Sequence, residues 1–234
     1  MKGLANRHLI GIAILLTLNS CNIYYAPNAH NVPLFKEKGE MRISAILSQG
    51  GYDYKGMEIQ GAYAITDKIA LSANGFMAHA EDDNSPKSGR GSFLEIGPGY
   101  YKPLNKHFVF ETYTGIGAGK VYNRYRDRSI STVNFLRYFV QPSIGFTSKV
   151  FDAALSSRIC GLYYYSVHSN SIENSESLFA LQYALPLLIE PALTIRLGWK
   201  NVKIQGQFGV SIILNDPEFD YDEHNLNLGL YIGI

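Results

Sequence analysis

The feature that most constrains this chain is a two-residue alternation of apolar and polar side chains, clearest toward its C-terminus. In 202–214, Val202, Ile204, Phe208, Val210, Ile212 and Leu214 alternate with Lys203, Gln205, Gln207, Gly209 and Ser211. In 225–234, Leu226, Leu228, Leu230, Ile232 and Ile234 alternate with Asn225, Asn227, Gly229, Tyr231 and Gly233. Successive side chains of a β-strand point to opposite faces, so each segment has one apolar and one polar face. A helix would scatter both sets around its circumference.

The same test, applied from Met41 onward, gives about ten strands. They fall near 41–50, 55–66, 69–80, 92–102, 107–123, 133–148, 153–167, 187–199, 202–214 and 225–234. The apolar run 178–189 (LFALQYALPLLI) has the composition to start a further strand. Short turns at Thr66-Asp67-Lys68, 103–106, 149–152 and Lys200-Asn201 alternate with more polar connections at 50–54, 81–91, 124–132, 168–186 and 215–224. This alternation predicts an all-β fold over 40–234, a closed up-and-down antiparallel β-barrel of about 10 strands (8–10). Beyond residue 20 no stretch approaches the ~18 apolar residues of a spanning helix, so any membrane crossing must be made by a closed barrel.

Composition agrees. The 234 residues suit one domain, and the net charge of +1 leaves no basic face for nucleic acid. Charged residues make up only 18%, while there are 17 Tyr, 12 Phe and 22 Gly. Two features turn the apolar face outward, as in a membrane barrel. The polar face carries Gly97, Gly99, Gly115, Gly117, Gly119, Gly145, Gly198, Gly209 and Gly229, which leave room in a crowded lumen. Aromatics on the apolar face gather at both ends, with Tyr63, Tyr100, Phe108, Phe146 and Trp199 near the short turns and Tyr122, Tyr163 and Tyr165 near the long loops. The chain ends in Ile234, not in the aromatic residue that closes many outer-membrane barrels.

The N-terminus reads as an address. Lys2 and Arg7 precede the apolar run 9–18 (LIGIAILLTL), a signal-peptide core too short to span a bilayer. Leu18-Asn19-Ser20-Cys21 resembles the bacterial lipobox. That resemblance implies a signal peptide over 1–20, cleavage before Cys21 and fatty-acyl (palmitate-type) chains on Cys21. More than one chain gives stable anchoring. In that resemblance an Asp at position 22 would mean inner-membrane retention, so Asn22 resembles an outer-membrane lipoprotein. Residues 21–39 are then an acylated, extended lead-in. With an even strand number both ends of the mature chain lie at the short-turn end, the N-terminus facing the periplasm. Acylation of Cys21 leaves Cys160 without a disulfide partner.

Candidate chemistry is sparse. Glu95 and Glu111 on the polar face look across at Arg137, Arg158, Arg196 and Lys203, a luminal charge network that would plug the barrel or, in a rival reading, line a small ion channel. Ser166 and His168, two apart, share that polar face near Glu173 and Glu176, the elements of a nucleophilic site. His168-Ser169-Asn170 faintly resembles a motif of outer-membrane lipid A deacylases, with the His–Ser spacing and order changed. The acidic loop 215–224 (Asp216, Glu218, Asp220, Asp222, Glu223) lacks the glycine of a calcium loop. Arg124, Arg126 and Arg128 suit lipopolysaccharide phosphates, with outer-membrane lipid as the other partner. The run 114–120 fails the phosphate-loop pattern at Thr114 and Val121, and the histidines have no metal-ligand spacing, so neither cofactor nor metal is expected.

The lipobox, Tyr25-Ala26-Pro27-Asn28, Asn31-Val32-Pro33-Leu34-Phe35, Lys38-Gly39-Glu40, Gln141-Pro142-Ser143-Ile144-Gly145-Phe146 and Ile189-Glu190-Pro191-Ala192-Leu193-Thr194 together look like a group of small, uncharacterised outer-membrane β-barrel lipoproteins of Bacteroidetes-type bacteria. The resemblance implies a fold and a location and brings no activity. The expectation is a monomeric, non-enzymatic envelope barrel with a structural or surface-interaction role. The alternatives are an enzyme acting on envelope lipid, and a soluble lipid-anchored barrel whose interior, lined by Val202, Phe208 and Leu228, holds an apolar ligand.

Overall fold

On each strand one phase is built of Gly, Ser, Asn, Gln, Glu and Arg and the other of Leu, Ile, Val, Met and aromatics, so a sheet of such strands curls with two unlike surfaces. The computed structural model describes residues 24–51, 54–81, 86–170, 175–215 and 220–234. Its strands are β1 (Met41–Gly50), β2 (Lys55–Ala64), β3 (Ile69–Glu81), β4 (Ser88–Pro103), β5 (Phe108–Arg124), β6 (Ile130–Thr147), β7 (Phe151–Ser169), β8 (Leu187–Gly198), β9 (Val202–Val210), β10 (Ile212–Ile213) and β11 (His224–Gly233), with helix α1 (Ser175–Ala184) before β8. Each strand from β1 to β8 pairs antiparallel with the next, β8 pairs β9, β9 pairs β11, and β11 returns to β1. The ring is a closed ten-stranded up-and-down barrel, with β10 as a two-residue extra against β8. Connections at one end are short (65–68, 104–107, 148–150, 199–201), and those at the other are longer (82–87, 125–129, 170–186, 211–223) except for 51–54, which is as short as the turns opposite.

The apolar phase faces outward. Leu94 is 71% exposed, Ile59 67% and Leu228 61%. Val202 and Phe208 are exposed too, which removes the soluble barrel with an apolar interior. Tyr63, Tyr100, Phe108 and Trp199 are exposed at the short-turn end, and Tyr163 and Tyr165 toward the other. The inward glycines seat rings: a Cβ on Gly117 would stand 2.2 Å from Phe93, and one on Gly119 2.3 Å from Phe135. The glycines of 114–120 therefore lie within β5, not in a phosphate loop.

Three features depart from the sequence reading. The run 178–189 is not a strand start. Most of it belongs to α1, which packs against β7 with Leu178 and Leu181 buried. Pairing of β7 with β8 ends at Gly161↔Leu187, and α1 lies against the stretch of β7 beyond it. Second, a β-bulge in the β6–β7 ladder at Asn134/Phe135 slips the register by one residue. Tyr164 and Val167 both point inward, so Ser166 and His168 fall on the outer side, not on the luminal face.

The third concerns the lead-in. The signal peptide (1–20), Cys21 and Asn22 lie outside the described residues. The first described residue, Tyr24, does not lie at the short-turn end. Tyr24 N donates to Asp220 O at 3.1 Å, and Tyr25 bridges Tyr221, both in the long β9–β11 connection. From there the chain runs down the barrel axis and leaves at the short turns, where Lys36 Nζ donates to Lys106 O at 2.8 Å. A tight reversal follows. Gly39 takes φ +88, a left-handed conformation that favours glycine, and its N donates to Ala64 O at 2.8 Å. The described part of the lead-in is an inner arm: its first residue, Tyr24, lies at the long-loop end, while Ile234 lies at the short-turn end beside Met41.

Candidate functional site: the lumen and its arm

An extended peptide inside a barrel cannot join the wall's backbone ladder, because every wall strand already has two neighbours. Its N–H and C=O groups must be met by side chains. Residues 24–35 carry no charged residue, and most are buried. The Pro27 carbonyl accepts from Tyr54 OH at 3.0 Å and Asn225 Nδ2 at 2.9 Å. Asn28 O accepts from Arg158 Nη2 at 3.0 Å. Ala29 N donates to Glu58 Oε2 at 2.9 Å, and Ala29 O accepts from Gln60 at 3.0 Å. Gln207 grips both sides of His30, accepting from its N at 2.7 Å and donating to its O at 3.0 Å. Asn31 O takes Gln141 at 2.8 Å, Val32 O takes Arg196 at 2.7 Å and Pro33 O takes Tyr231 OH at 2.8 Å. Leu34 N donates to Glu111 at 3.0 Å, which holds Leu34 at a left-handed φ of 56.

The wall's charges fall into two groups. Glu95 pairs with Arg137, Glu190 with Arg158 at 2.5 Å, and Asp152 with Lys203 at 2.5 Å, with Arg196 Nη1 4.0 Å from Asp152. These pairs are also tied to the arm: Arg137 donates to Tyr25 OH at 2.7 Å and Asn28 Oδ1 at 2.8 Å, and Tyr25 OH donates to Glu190 at 2.9 Å. Glu58 and Glu111 are different. Neither forms an ion pair among the described residues, and each accepts a backbone N–H of the arm. The six residues singled out in sequence, Glu95, Glu111, Arg137, Arg158, Arg196 and Lys203, are all buried in the lumen. They do not form an acidic wall opposite a basic one. The pairing carboxylates Asp152 and Glu190, and the arm-binding Glu58, were not singled out, although each sits on the inward phase of its strand. Rings complete the packing: the Arg137 guanidinium lies 4.2 Å over Phe93 and that of Arg196 3.9 Å over Tyr231.

The other candidates lie at the long-loop end. Ser166 Oγ and His168 Nε2 are 3.3 Å apart on the exposed side. Among the described residues no carboxylate bonds this His. Glu173 lies outside them, and Glu176 falls in the first turn of α1. In the acidic loop Asp216 and Glu218 lie outside the described residues. Asp222 is buried and accepts from Gly51 N at 3.0 Å and His224 N at 3.2 Å, so it braces two connections. Burial pushes the Asp220 carboxyl up. Among the described residues no three His, Cys, Asp or Glu side chains gather as metal ligands, and no helix is long and apolar enough to cross a membrane. Arg124, Arg126 and Arg128 are exposed around the β5–β6 turn, where Ser129 donates to Asp127 from N at 2.9 Å and Oγ at 2.5 Å and holds its carboxyl below the usual range.

No protein-family model and no curated protein sequence matches this chain. Solved structures resemble it in fold alone. An outer-membrane channel from Pseudomonas putida F1 is 9% identical with a TM-score of 0.47, over 88% of this chain and 100% of that one. The translocator domain of the autotransporter NalP from Neisseria meningitidis is 10% identical with a TM-score of 0.48, over 83% and 86%. Ail, the attachment invasion locus protein of Yersinia pestis, is 11% identical with a TM-score of 0.37, over 84% and 99%. The structural neighbours of this chain are outer-membrane β-barrel proteins.

Proposed function

We propose that the protein is a non-enzymatic outer-membrane β-barrel lipoprotein, acylated at Cys21, whose lumen is stoppered by its own residues 24–35 and whose interactions are made by its outer loops. The observation that carries this is the arm: its main chain is bound residue by residue to the wall along the lumen. The apolar outer face with aromatics at both ends supports the membrane location. A transport role does not suit a lumen filled in this way. The exposed guanidinium groups of Arg124, Arg126 and Arg128 suit the phosphates of lipopolysaccharide.

Planar-bilayer recording tests the stopper. The purified protein should give no stepwise conductance, and steady ion-selective steps would replace the stoppered barrel with a channel. Palmitate incorporation, lost in Cys21→Ala, tests the lipoprotein assignment separately. A second reading rests on the outward Ser166–His168 contact of 3.3 Å: an enzyme acting on envelope lipid. It requires Ser166→Ala to change the acylation pattern of lipid A by mass spectrometry, and an unchanged pattern removes it.

A further inference from the structure

The path of the arm decides on which side of the barrel the chain's N-terminal end emerges. Three contacts fix its upper end: Tyr24 N to Asp220 O at 3.1 Å, the Tyr164 hydroxyl to Tyr24 O at 3.1 Å, and the bridge from Tyr25 to Tyr221. All belong to the long-loop end. Its lower end lies against the short turns, with Lys36 on Lys106 and Lys38 N donating to Asp67 at 3.4 Å. In between, residues 24–35 extend along the axis, and a dozen residues of extended chain reach about 40 Å, enough to traverse the wall's height. The chain that precedes Tyr24 therefore continues from the long-loop end.

Cys21 is three residues before Tyr24. Three extended residues reach about 11 Å. The apolar band of an outer-membrane barrel is about 25 Å tall. A group on Cys21 thus has no reach back to the short-turn side. In a barrel whose short turns are periplasmic, the long-loop end faces the exterior. We infer that the arm carries the N-terminus through the barrel, so that the acyl chains on Cys21 insert in the outer leaflet and the lipid anchor is displayed at the cell surface. This rests on the reading of Cys21 as acylated and of the barrel as outer-membrane. It reverses the periplasm-facing N-terminus expected from strand parity alone. It also separates the two ends of the mature chain, with the anchor outside and Ile234 inside, beside Met41.

The test is side-specific labelling of the full chain with a membrane-impermeant maleimide, in intact and in permeabilised Gram-negative cells. Three single variants are compared: Ile23→Cys before the arm, Arg126→Cys in the β5–β6 connection and Lys149→Cys in the β6–β7 turn. Background is low because Cys160 is only 1% exposed. Each variant is first shown to keep a heat-dependent gel shift, and if Ile23→Cys loses it, Asn22→Cys takes its place. The expected result is that Ile23→Cys labels in intact cells to the same extent as Arg126→Cys, while Lys149→Cys labels only after permeabilisation. Co-behaviour of Ile23→Cys with Lys149→Cys overturns the inference. If Ile23→Cys tracks Arg126→Cys but both need permeabilisation, the arm's path stands, the membrane orientation fails, and with it the surface anchor. Absence of palmitate from the wild type would overturn acylation and with it the surface anchor, and leave only the side on which the arm emerges.

Discussion

Arg158 and Glu190 meet at 2.5 Å, both almost wholly shielded, in a lumen where a lone charge has no water to turn to. Removing one partner strands the other. Arg158→Ala or Glu190→Ala should each cost about 3–5 kcal/mol, read as a lower urea midpoint for the folded gel band. The double variant Arg158→Met/Glu190→Leu should recover much of that loss. Gly117 gives the complementary case: its Cβ would stand 2.2 Å from the Phe93 ring, so Gly117→Ala should cost about 1–3 kcal/mol, relieved in part by Phe93→Leu. At this scale the sequence was half legible. The inward cations could be read from strand phase, and so could Glu58, two residues before Gln60, Glu190 and Asp152. Who pairs with whom could not, because pairing depends on the register between strands and on the arm. Ser166 and His168 went to the wrong face because one bulge, invisible in composition, inverts the phase at the end of β7.

The arm is the element on which the wall depends. Glu58 and Glu111 have its backbone N–H groups where other carboxylates have cations. Replacing 27–34 by a Gly/Ser stretch of equal length keeps the N–H groups of Ala29, His30 and Leu34, adds new ones at 27 and 33, and loses the register set by Pro27, Asn28, Asn31, Pro33 and Leu34. That variant should unfold at markedly lower urea concentration and, in planar bilayers, show openings that wild type lacks. Glu58→Gln/Glu111→Gln, which keeps an acceptor and drops the charge, should restore part of the stability. Wild-type stability in the arm variant would mean the arm is a passenger. The strands were legible because alternation is a property of each strand alone. The arm was not, since it meets side chains and not a ladder and so has no period. Its one signal was negative: a run from 22 to 35 without a charge, unlike a solvated linker. Helix α1 escaped for a related reason, with Leu178 and Leu181 buried and Phe179 and Tyr183 exposed, apolar on both sides.

At the scale of the molecule, a ring with ten closed strand pairs and a filled interior should resist detergent until heated. The purified protein should run as two forms in SDS gels, before and after boiling, and a single unshifted band would count against the closed barrel. The alternation of short and long connections made this architecture readable, since it needs only turn lengths. The path of the arm was not readable by the same rule, because counting strands says nothing about a segment that is not a strand.

The seam of the ring joins β1 to β11, the first strand to the last, from Arg42↔Gly233 to Gly50↔Asn225. The arm is joined to β1 through the reversal at Gly39 and precedes it in the chain. The expected order in biogenesis is that the thread lies in the groove of the open sheet before the final strand clasps the edge. With Cys21 acylated as proposed, the arm would have a stop on one side in addition to its covalent tether to β1 on the other. Withdrawal would need the clasp to reopen, so the stopper turns over no faster than the barrel itself unfolds.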